Sequence, residues 1–205
     1  MRLLAALLLG LALGAGPITP EGRRLAARYD ALDVEHLWLP GQHVDWRTGR
    51  PDNGRPAKTH CSAFVAAACE REGIYILRPP EHRAVKLATA QGAWLREAGA
   101  AAGWSPVPDP FQAQDLANGG RVVVVVWESP DPARSGHIAL VRPSDKDGEA
   151  LRREGPDIIQ AGAANHARCS LREGFRHHRG AWVSAARHAA RFFAWSPTPA
   201  GTRPY

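Results

Sequence analysis

Cys61-Ser62-Ala63-Phe64-Val65-Ala66-Ala67-Ala68-Cys69-Glu70-Arg71-Glu72-Gly73 is the stretch on which the reading of this chain turns. Alanine is the best helix former, no Pro or Gly interrupts the run before Gly73, and a glycine just past a last turn is a common left-handed stop. The segment predicts a helix with Cys61 at or beside its first turn. Unpaired backbone N–H groups and a half-positive charge gather at such a terminus and favour thiolate over thiol. A cysteine buried for packing is the plainer alternative, and the segment alone does not choose.

Toward the N-terminus, residues 39–59 carry Pro40, Gly41, Gly49, Pro51, Asn53, Gly54 and Pro56, which sustain neither a helix nor a central strand. A long loop or hairpin is expected. Before it, Glu21 to Leu32 has apolar residues near helical spacing behind Pro20, as a short amphipathic helix would. Met1-Arg2, the apolar run Leu3 to Leu13 and the small residues up to Gly16 are expected to be a cleaved export signal over residues 1–16. The run is too short to span a hydrocarbon layer of ~30 Å. Residues 17–205 are then expected to form one soluble domain, exported to the periplasm or the cell exterior.

Composition agrees with one domain, because 205 residues at 44% apolar supply one sizeable core and are short for two. The 26 basic residues outnumber the 20 acidic ones, a balance that suits an anionic surface. They are scattered, with no basic run interleaved with aromatics, so nucleic acid is not indicated.

Toward the C-terminus, helices are expected over His82 to Ala102 and Gln112 to Ala117. Val122 to Trp127 is six consecutive β-preferring residues, the mark of a strand buried on both faces. His137 to Val141 and Asp157 to Ala161 follow as further strands, close enough to form an antiparallel meander. The class is α+β. Ala181 to Trp195 fits either a helix or one more strand with a tail.

Three polar side chains, Cys61, His137 and Gln160, stand out from these apolar elements. A buried His and a buried Gln need partners, and the simplest supply is each other and the thiol. Gln160 would hold one ring nitrogen of His137, fixing the tautomer that aims the other at Cys61. Gly136 would leave room for a substrate backbone. The helix N–H groups could hold an oxyanion in acyl transfer.

At these residues the chain resembles the NlpC/CHAP superfamily of papain-like peptidoglycan hydrolases. The matching motifs are Cys61-Ser62-Ala63-Phe64-Val65, Gly136-His137-Ile138-Ala139-Leu140-Val141, and Gln160 as polar residue of the next strand. The resemblance spans about residues 59–162. It implies a small papain-like α+β fold with the nucleophile's helix packed on an antiparallel sheet, and cleavage of amide bonds in wall stem peptides without metal or cofactor. Catalytic roles fall on Cys61 as nucleophile, His137 as base and Gln160 as orienting residue, with Asn165 and His166 as alternatives for the third role. A thiol acyltransferase or amidase on a non-wall substrate, and an inactive secreted binding domain, are the alternative functions.

The remaining candidates carry less. His60 adjoins Cys61, but a neighbouring side chain at a helix start points elsewhere. His43, Asp45 and Trp46 could rim a cleft or simply occupy a solvated loop. His82, His177 and His178 lack metal-ligand spacing with any Cys or acid. Seven tryptophans are spread from Trp38 to Trp195, as packing residues would be. Three cysteines are an odd number for an exported chain. Cys61 and Cys69, about 12 Å apart along a helix, cannot bridge, so a Cys69–Cys169 disulfide leaving Cys61 free is one arrangement and unpaired buried thiols are the other.

Overall fold

The computed structural model describes residues 15–55, 59–182 and 189–197. The expected export signal lies almost wholly outside them. Helices are α1 (Pro20–Asp30), α2 (Cys61–Arg71), α3 (Leu87–Glu97), α4 (Pro110–Asn118), α5 (Gly148–Glu154) and α6 (Leu171–Gly174), with a 3-10 turn at Gly99–Ala102. Strands are β1 (Trp104–Val107), β2 (Val123–Trp127), β3 (His137–Val141), β4 (Asp157–Gln160), β5 (His166–Ser170) and β6 (Arg191–Trp195). The class is α+β as expected. All six strands join one antiparallel sheet in the order β1-β6-β2-β3-β4-β5. The meander is β2-β3-β4, with Trp127 opposite His137 and Leu140 opposite Ile159.

β2 shows why the sheet is central. Val122, Val124 and Val126 enter an apolar cluster with α1, α2 and α3, while Val123, Val125 and Trp127 enter a second cluster with α4 and α6. This is the period-two alternation of a strand covered on both faces. β3 divides the same way, Ile138 and Leu140 toward α2, Ala139 and Val141 toward the α4–α6 side.

Several expectations change. The helix expected over His82 to Ala102 begins only at Leu87, because Lys86 takes a left-handed conformation at φ 57° and its last residues tighten into the 3-10 turn. β1 and β5 have no counterpart in the sequence reading, and Ala181 to Trp195 yields the strand β6 at its end. All three cysteines are free thiols, so the Cys69–Cys169 disulfide is not formed. The sheet itself prevents it: Cys69 is sealed between α2 and one face, while Cys169 packs on the other.

The loop over residues 39–55 is pinned by a single bridge between Val44 and Pro51 and by Trp38, whose indole N–H donates to the Trp46 carbonyl at 3.0 Å. Trp38 packs edge-on to Phe64 of α2 with ring centroids 5.3 Å apart, which fixes the approach to Cys61. No described helix is long and apolar enough to cross a membrane.

Candidate active site

Cys61 is the first residue of α2, preceded by His60 at the cap position. The cap makes no side-chain bond to the helix, since the His60 ring turns away and its Nε2 lies 2.9 Å from the Gln42 carbonyl oxygen. His60 therefore serves to fasten the preceding loop. Cys61 is 6% exposed. Burial raises its thiol pKa, and hydrogen bonds from the backbone amides of Ile138, Ser62 and Cys61 itself pull it only partly back. Desolvation thus outweighs the helix terminus, against the tendency toward thiolate that a helix start alone would give.

His137 opens β3 and Gln160 closes β4, and adjacent pairing brings them together. His137 Nε2 is 2.8 Å from Gln160 Oε1. The amide orientation is settled by its other end, where Gln160 Nε2 donates to the Ala164 carbonyl at 3.3 Å. Gln160 Oε1 must therefore accept, so His137 carries its proton on Nε2 and leaves Nδ1 with a lone pair. Nδ1 makes no hydrogen bond among the described residues. Burial drives the His137 pKa from 6.5 down to about 4, opposed by the Gln160 bond, so the ring is neutral near pH 7. It is a base by tautomer and by charge.

What surrounds the ring goes beyond the three motif residues. Phe175 meets His137 edge-on at 4.6 Å between centroids, and His178 stacks on it at 4.9 Å with planes 17° apart. His178 also lies 4.9 Å from Trp127, the cross-strand partner of His137. Its own pKa is lowered to about 4 by burial first, then by His137, His177 and Arg134. The His177-His178 pair was the available signal, and metal spacing was the wrong test for it.

Two glycines shape this wall. A Cβ at Gly174 would stand 2.7 Å from Gln160 Oε1 and 2.6 Å from Ile158 Cδ1, so the position admits no side chain while Gln160 holds His137. A Cβ at Gly136 would strike the Trp127 carbonyl oxygen, and its N–H donates to Thr89 Oγ1 at 2.9 Å. Gly136 therefore makes room for the protein's own hairpin, which corrects its expected role toward a substrate backbone.

Cys61, His137 and Gln160 line one cleft of about 1080 Å³, together with Trp127, the β2–β3 loop and the segment after α6. Cys61 and His137 form no hydrogen bond with each other among the described residues. Cys61 belongs to the apolar cluster that α2 forms with Ile138 and Leu140, while the His137 ring meets Phe175 of the other cluster. The thiol reaches the cleft beside the Ile138 amide, one residue along from the imidazole.

Asn165 is occupied elsewhere, its Nδ2 donating to the carbonyls of Val34 and Leu37 at 2.7 and 2.9 Å. His166 lines the cleft with Nε2 buried and unpartnered, but it is Gln160 that bonds His137. Asp45 accepts from the Thr48 N–H and hydroxyl at 2.9 Å each, Arg47 covers Trp46 at 4.6 Å, and neither Asp45 nor Trp46 lines the cleft. No group of three or more His, Cys, Asp or Glu suited to a metal occurs among the described residues. No protein-family model matches this chain and no curated protein matches it, so the reading of the cleft rests on the chain's own residues.

Proposed function

We propose that this chain is a secreted cysteine hydrolase of the papain-like NlpC/CHAP kind that cleaves amide bonds in peptidoglycan stem peptides. The observation that carries this reading is the Gln160–His137 bond in the cleft that also holds Cys61, because it leaves a neutral imidazole with its basic nitrogen unbonded. His137 Nδ1 takes the thiol proton as sulfur attacks the amide carbonyl, and backbone N–H groups at the start of α2 hold the oxyanion. His137 then returns the proton to the leaving amine, and water releases the acyl group with the same base. Cys61 and His137 must draw together for this, as catalytic hydrogen bonds commonly do only when substrate binds.

The test compares purified peptidoglycan treated with the parent protein and with Cys61→Ala, reading turbidity and the mass of released fragments. Defined muropeptides from the parent alone would establish the reaction and its bond. Release by neither protein would overturn it. The absent Cys61–His137 hydrogen bond favours a second reading, an inactive secreted binding domain that keeps the fold as scaffold; it predicts wall binding by both proteins and release by neither.

A further inference from the structure

The same cleft is electrically one-sided. Arg134 enters it from the β2–β3 loop, and Arg176 and Arg179 from the segment after α6. Arg176 is already paired with Glu173. Among the described residues, which include all 20 Asp and Glu of the chain, no side-chain carboxylate lies within 4.0 Å of Arg134 or Arg179. The one acid lining the cleft, Asp131, is exposed and its carboxylate accepts the Ala133 N–H at 2.8 Å, so three arginines face a single acid there. Arg134 also acts on the ring stack, as the last of the causes, after burial, His137 and His177, that lower the pKa of His178. A further donor stands in the wall: Trp127 is 6% exposed and its indole N–H is buried without a partner.

From this arrangement we propose that the cleft selects peptides bearing free carboxylates, held by Arg134 and Arg179. Guanidinium groups match carboxylates in planar, two-point geometry, and neither arginine would have to give up an internal ion pair to bind one. The volume admits several peptide residues. The choice of a peptide as carrier rests on the hydrolase reading, whereas the charge argument stands without it.

The probe is a purified disaccharide tetrapeptide with free carboxylates, set against the same compound amidated by carbodiimide and ammonia. Binding is measured by tryptophan fluorescence on full-length Cys61→Ala, which cannot consume the probe. The acid form should bind at least tenfold tighter, with an advantage that shrinks as salt rises, and Arg134→Gln and Arg179→Gln should each reduce it on the order of fivefold. Both arginines are exposed, so these changes do not threaten folding. Equal binding of the two forms, or an advantage that survives the double variant, would overturn the proposal. Binding of neither form would overturn it as well, and fragment release by the parent protein, measured alongside, would then show whether the hydrolase reading survives independently.

Discussion

Lowering the pH should weaken this fold through one buried ring. His137 is 5% exposed, and its pKa is about 4 in the folded chain against 6.5 for the free group. A base whose folded pKa is depressed contributes stability that is fully present above the unfolded value and is lost as pH falls toward the folded one. Unfolding takes up a proton here across the window from 6.5 to 4. The full difference corresponds to about 3 kcal/mol, of which roughly 2 kcal/mol is already lost at pH 5. His178, lowered to about 4 as well, acts in the same direction. The assay is urea denaturation of the parent and of His137→Gln at half-unit steps from pH 8 to pH 4.5. The variant cannot titrate at this position, so the parent's stability should fall more steeply by roughly 2 kcal/mol between pH 8 and pH 5. Parallel curves would refute the claim that His137 is buried neutral.

Gly174→Ala should cost about 1–3 kcal/mol and, by displacing Gln160, lower fragment release, whereas Gly162→Ala, whose nearest contacts would be 3.4 Å, should leave thermal stability nearly unchanged. Equal melting temperatures for the two variants would sink the steric argument. Alkylation of Cys61 by iodoacetamide should be slow at pH 6 and accelerate into the alkaline range, because burial holds the thiol up, and Cys169, pushed up to about 12, should react later still. Rapid modification at pH 5 would mean a thiolate and contradict the burial argument.

The central strands and the nucleophile's helix were legible because each is written in local chemistry: six β-preferring residues for β2, an uninterrupted alanine-rich run for α2. The edges were not. β1 contains Pro106, which argues against a central strand, but β1 pairs only with β6 and lies at the sheet margin, where a missing N–H is tolerated. β5 reads His-Ala-Arg-Cys-Ser with little apolar signal, since it is the opposite edge and its residues are only partly covered. Within the site, the His137–Gln160 pairing followed from strand order. The stacking of His178 did not, because it depends on where the chain turns after α6. Nor did the side of the sheet on which each cysteine stands, which needs the three-dimensional layering to decide.

The placement of β6 between β1 and β2 also bears on the order in which the molecule can assemble. β1 has no other strand partner, so Ser105 waits for Ala194, 89 positions further along, before its ladder can close. During synthesis, β2, β3 and β4 can pair early, while the edge of β2 stays open until the last strand arrives. Such a long-range closure is slow and leaves an apolar edge exposed meanwhile. A chain cut short before Arg191 would keep Cys61, His137 and Gln160 yet present that edge permanently, and aggregation would then set its fate before chemistry could.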